Sequence, residues 1–161
     1  MSSPSQSPDV DRAADRTDRV FRSHPLVTGV WAGAIGTAVM TLFRLPVARS
    51  LPPTGAFWEQ YAGGDPDAIG PAFLLHFLYG IGGGVAFVPV ARTIRDRGLT
   101  TTLFVGVLYG LALSVFGTRV MLRRLLGMDL DHDEAVVFHA GHVVYGLTIG
   151  IWFGTREPHD G

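Results

Sequence analysis

His76 and His142 open the same short pattern: His76-Phe77-Leu78-Tyr79-Gly80 with Gly84 four further on, and His142-Val143-Val144-Tyr145-Gly146 with Gly150 four further on. Arg44 and Arg119 each close an otherwise apolar stretch. Imidazole donates, accepts and takes up a proton near neutrality, and guanidinium offers several N–H donors to an anion. Such groups are costly inside a membrane and turn toward the interior of a bundle, which makes them candidates for a site. In the simpler reading each histidine is hydrogen-bonded to a Tyr, Ser, Thr or backbone carbonyl and locks helices together. Tyr79 and Tyr145, three residues beyond the histidines, are read either as their partners or as packing residues alone. In the sharper reading Arg44, His76, Arg119 and His142 line a small outward pocket for an anion or a proton-coupled solute. A haem between the two imidazoles is a third and lesser reading, because imidazole is an ordinary axial ligand.

His139 and His142 lie three apart on one helix face, a spacing that can chelate a metal. With Asp131, His132, Asp133 and Glu134 upstream, they suggest a divalent-cation site at the outer surface. Acidic residues at a helix start also satisfy free N–H groups and the helix dipole, which is the plainer account. No cysteine is present, so disulfides and thiolate chemistry are excluded. Gly80-Ile81-Gly82-Gly83-Gly84 is not a phosphate loop, because such a loop needs a strand before it and a helix N-terminus after it. With no Ser-His-Asp arrangement, HExxH or Walker sequence either, no enzyme and no cofactor are expected.

The elements that must position these residues are long apolar helices. Charged residues make up 17% of the chain and fall into clusters. Pro25–Phe43, Ala68–Ala91, Gly98–Thr118 and Ala135–Thr155 contain no Asp, Glu, Lys or Arg. A hydrocarbon core needs about 20 apolar residues as a helix. The chain is therefore expected to be all-α, a bundle of four transmembrane helices over residues 26–47, 71–91, 99–118 and 134–154, within one domain spanning 25–156. Residues 1–24, rich in Ser, Pro, Asp and Arg, are expected to form a disordered cytosolic tail, and 157–161 a C-terminal tail. The tail holds no apolar run, so the first span is expected to act as the insertion signal.

Between the first two spans the connection over residues 49–70 carries Leu51-Pro52-Pro53 and the aromatic residues Phe57, Trp58 and Tyr61. It is expected to lie along the membrane interface and to include a short helix. Arginine placement gives the orientation. Arg12, Arg16, Arg19, Arg22, Arg92, Arg95, Arg97 and Arg156 fall on one side; Arg44, Arg49, Arg119, Arg123 and Arg124 fall on the other. Both termini are accordingly expected in the cytoplasm of a cell-membrane protein, with Trp31 and Trp152 as interfacial anchors. The net charge of −1 excludes a strongly basic nucleic-acid binder. All thirteen basic residues are Arg, a bias that fits a halophilic archaeal source.

Small residues recur every four positions along each span. Gly29, Gly33, Thr37 and Thr41 mark the first; Ala72, His76, Gly80 and Gly84 the second; Gly106, Gly110, Ser114 and Thr118 the third; His142, Gly146, Gly150 and Gly154 the fourth. Residues four apart share a face, and small faces let backbones approach closely in lipid. The first and third stripes match, as do the second and fourth, so the chain reads as two copies of one helical hairpin related by an axis along the membrane normal. The His-x-x-Tyr-Gly-x-x-x-Gly elements and the Gly33–Thr41 segment resemble a group of small four-helix prokaryotic membrane proteins of unknown function. That resemblance covers residues 26–154 and implies a fold and a location, with no catalytic residue. The expected surroundings are the lipid bilayer, with a second copy of the chain or a membrane partner protein as further contacts.

Overall fold

The computed structural model describes residues 24–47 and 54–155. The expected N-terminal tail, apart from His24, lies outside the described residues, as do Arg49, Leu51-Pro52-Pro53, Arg156 and the C-terminal tail. Among the described residues the chain is all-α. Helix α1 spans Pro25–Arg44 and starts with proline in its first turn, where the missing N–H has no intrahelical partner to lose. A short helix α2 spans Thr54–Ala62 and is followed by Gly63 in the left-handed region, at φ 65°. Helix α3 spans Ile69–Thr93, and a 3₁₀ turn over Arg95–Arg97 leads into α4, Gly98–Phe116. Helix α5 spans His132–Gly154. Helices α1, α3, α4 and α5 are each long and apolar enough to cross a membrane.

The third span departs from its expected end at residue 118. It continues as a π-helix over Gly117–Leu126, closed by Gly127 at φ 63° and by a 3.0 Å hydrogen bond from the Met128 N–H to the Leu122 carbonyl. Arg119, Arg123 and Arg124 look like a terminus when read as charge alone. In the fold they stay exposed while Leu122 on the opposite face is buried, so the helix carries on in amphipathic form.

Helix α1 packs against α3 on one side and α5 on the other, and α4 packs against α5; α3 and α4 have little direct contact. Glycine allows this closeness. A Cβ on Gly84 would lie 2.3 Å from the Gly29 carbonyl oxygen, and one on Gly33 would lie 2.5 Å from that of Gly80. In the other pair, a Cβ on Gly110 would lie 2.2 Å from the His142 carbonyl oxygen and one on Gly106 2.4 Å from that of Gly146. Phe87, Ile149 and Ala32 are fully buried in the core. Leu26, Leu42, Leu74 and Phe104 are more than three-fifths exposed, as a lipid-facing surface requires.

Candidate functional site

At the end of the bundle where α1 finishes and α5 begins, the helices enclose a cavity of about 270 Å³. Arg44 and Thr37 of α1, His76 and Tyr79 of α3, and His142 and Tyr145 of α5 contribute its polar lining. Most of the remaining wall is apolar: Met40, Phe57, Leu75, Leu113, Met121 and Phe138 are examples. Helix α2 lies over the cavity at this end, with Thr54 and Phe57 in the wall. Its Thr54 hydroxyl donates to the Ala72 carbonyl at 2.6 Å, while Gln60 and Tyr61 both donate to the Leu125 carbonyl, at 3.1 and 3.3 Å.

The two histidines share this cavity but differ in bonding. His142 is buried, and its Nδ1 lies 2.9 Å from the Phe138 carbonyl oxygen one turn earlier. A carbonyl only accepts, so in the neutral ring Nδ1 carries the hydrogen and Nε2 keeps its lone pair. The position matching Phe138, four residues before His76, is Ala72, and its carbonyl is already taken by Thr54. His76 is 8% exposed and rests edge-on against Phe77, with ring centroids 6.5 Å apart. No hydrogen bond joins its imidazole to the described residues.

Two further groups of the wall are sealed without partners. Arg44 Nε and the Tyr79 hydroxyl are buried and lack a hydrogen-bond partner among the described residues. The Arg44 stem fits against Gly141, where a Cβ would lie 3.1 Å from Arg44 Cδ, and its guanidinium carbon stands 6.0 Å from the centre of the Phe138 ring. His76, His142 and Glu134 are within range of its charge, yet no carboxylate among the described residues forms an ion pair with it.

Of the two readings of the tyrosines, pairing with the histidines is absent among the described residues. The Tyr145 hydroxyl donates across the bundle to the Gly80 carbonyl at 2.6 Å, over a seat made by Gly36 and Gly83. Tyr109, which the sequence motifs do not mark, donates to the Gly83 carbonyl at 2.7 Å. Gly36, Gly83 and Gly141 also escape a reading by stripes. Their signal is faint: glycines off the four-residue stripes, each making room for one large side chain.

Arg119 is exposed and does not line the cavity. The residues read as metal ligands stay apart, and no group of three His, Asp or Glu converges among the described residues. Asp131 caps α5, its carboxylate accepting from the Glu134 N–H at 2.8 Å. His132 and Asp133 are exposed, and His139 pairs through Nδ1 with the Ser114 hydroxyl. The site is thus a partly open cavity of a multi-pass membrane protein, carrying one guanidinium and two imidazoles. No protein-family model matches the chain, and neither a curated protein nor a solved structure matches it.

Proposed function

We propose that this chain is a non-enzymatic membrane protein that binds a small anionic group in the cavity beneath α2. One observation carries the reading: Arg44, Tyr79 and His76 all line one cavity, and the Arg44 Nε, the Tyr79 hydroxyl and the His76 imidazole have no partner among the described residues. Buried polar groups in folded proteins are almost always satisfied, and leaving one unsatisfied costs about 1–3 kcal/mol. An arginine at a helix end ordinarily carries its head out to water. Here Nε is sealed and the head is held beside Phe138. The closely packed glycines and the filled core around Phe87 and Ile149 favour binding, in an accessory role, over passage of a solute.

The test uses protein purified in detergent and its thermal stability with inorganic phosphate, acetate and anionic lipid. At least one anion should stabilise the native chain and leave Arg44→Met and His76→Leu unaffected. Methionine retains the stem that packs on Gly141. Because a half-buried charge without a counter-ion opposes folding, Arg44→Met without ligand should be as stable as the native chain or more so. A large loss of stability in that variant, with no anion effect in the native protein, would make Arg44 a structural residue.

The two halves support a reading as copies of one hairpin. Gly29 against Gly84 and Gly33 against Gly80 are matched by Gly106 against Gly150 and Gly110 against Gly146. The Thr41 hydroxyl donates to the Thr37 carbonyl as that of Thr118 does to Ser114. Thr54, from the longer first connection, breaks the match at His76. Arginine placement supports cytoplasmic termini in the cell membrane, and the Arg-only composition a halophilic archaeal source. With single cysteines at positions 58, 96 and 131, an impermeant maleimide should label intact cells at 58 and 131 only. Labelling at 96 alone would reverse the orientation.

A further inference from the structure

We infer that the anionic group held in this cavity is the headgroup of a lipid, which enters sideways from the bilayer between α3 and α4. This rests on the reading of the cavity as an anion site and adds the source of the anion and its route.

The route follows from what is closed. On the polar side, α2 lies over the cavity with Thr54 and Phe57 in its wall, and it is tied to α3 through the Ala72 carbonyl and to the π-helix through the Leu125 carbonyl. On two other sides, α1 packs closely against α3 and α5. The remaining side lies between α3 and α4. These helices are joined by the tight turn over Arg95–Arg97 at the far end, and they have little direct contact along their length. At the near end the cavity separates them, with Leu75, Leu78 and Tyr79 on one wall and Leu113, Gly117 and Met121 on the other. Leu78 lines the cavity and is also 54% exposed, so it forms part of the rim, and Leu74 one turn earlier is 61% exposed. That rim faces hydrocarbon.

The wall chemistry points the same way. A hydrated ion gains nothing from Met40, Leu75, Leu113 and Met121, whereas methylenes next to a headgroup do. The volume of about 270 Å³ is close to the lower end of small-ligand pockets, roughly 300 Å³. It accommodates a phosphate-sized head and the first part of a chain. The rest of a lipid must leave through an apolar opening, and the rim beside Leu78 is one. At the head, Arg44 supplies the charge and His76 an imidazole that no protein group engages, while the sealed Tyr79 hydroxyl must turn toward the cavity to donate.

Native mass spectrometry of the purified chain tests this, with equimolar phosphatidylglycerol and phosphatidylcholine of identical acyl chains. The native protein should retain phosphatidylglycerol over phosphatidylcholine by roughly tenfold, the ratio that one charge-assisted hydrogen bond supports. Arg44→Met should bring the ratio near one. Leu78→Trp, which fills the rim, should lose the lipid, while Leu111→Trp, on a lipid-facing position outside the cavity, should keep it. Inorganic phosphate and glycerol phosphate should stabilise the native chain far less than the lipid. Equal retention of both lipids, together with phosphate binding that depends on Arg44, would overturn the lipid and leave the anion site standing. No Arg44-dependent binding of any anion would remove both. Should Leu78→Trp fail to fold, the native lipid ratio and its loss in Arg44→Met decide the matter.

Discussion

Tyr145→Ala should destabilise the bundle by about 3–5 kcal/mol, the range found when a buried aromatic ring is truncated to a methyl group. The ring is 2% exposed and lies where α1, α3 and α5 meet. Gly36 and Gly83 are shaped to it: a Cβ on the first would stand 2.9 Å from the ring, and one on the second 2.8 Å from the hydroxyl. Alanine therefore leaves a void that backbone this close cannot collapse into. Tyr145→Phe separates the hydroxyl from the ring. It keeps the packing and loses only the bond to the Gly80 carbonyl, about 0.5–1.5 kcal/mol. Unfolding in a graded detergent mixture, followed by circular dichroism, should rank native above Phe above Ala. If Phe proves as damaging as Ala, the hydrogen bond outweighs the ring. If both variants match the native chain, Tyr145 does not join the helices.

The second large effect is expected at Gly84. A methyl group there would approach the Gly29 carbonyl oxygen to 2.3 Å and the Gly33 Cα to 2.5 Å, and both are backbone atoms that no rotamer change can move. Gly84→Ala must push α1 and α3 apart, at a cost on the order of 1–3 kcal/mol. Gly82→Ala is the matched control: it lies in the same helix, and nothing stands within 4 Å of the added carbon. There the substitution removes the conformational freedom of glycine and should be neutral or stabilising by up to about 1 kcal/mol. The same unfolding measurement decides between them. Equal effects at the two positions would mean that α1 and α3 do not approach through this stripe.

The contrast between Gly82 and Gly84 also shows how much is legible from residue order alone. Both belong to one glycine run, yet only Gly84 sits on a four-residue stripe with Gly80. Helix periodicity tells them apart, because residues four apart must share a face. The spans are legible for a comparable reason. A charge-free stretch as long as the hydrocarbon core is thick has few stable alternatives to a spanning helix. The π-helical extension is not, since the same arginines can end a helix or ride on its wet face. Which of those happens depends on whether Leu122 finds a core to enter.

Periodicity along single helices is therefore enough to assign the all-α class, the four spans, the packing stripes and the placing of His76 and His142 on interior faces. These are local properties, dictated by rise per residue, side-chain direction and the cost of a bare amide in lipid. The site is decided by contacts between elements distant in sequence. Thr54 occupies the carbonyl that would have held His76, and Tyr145 reaches Gly80 rather than a histidine. Arg44 is held against Gly141 and Phe138, while Arg119, which closes the apolar stretch of the third span, is left exposed. Their spacing already differs: Arg44 follows Thr41 by three residues and Arg119 follows Thr118 by one, which turns them to different helix faces. The packing adds to this, because α1 is flanked by two helices, whereas α4 packs closely on α5 alone and keeps one face open to lipid.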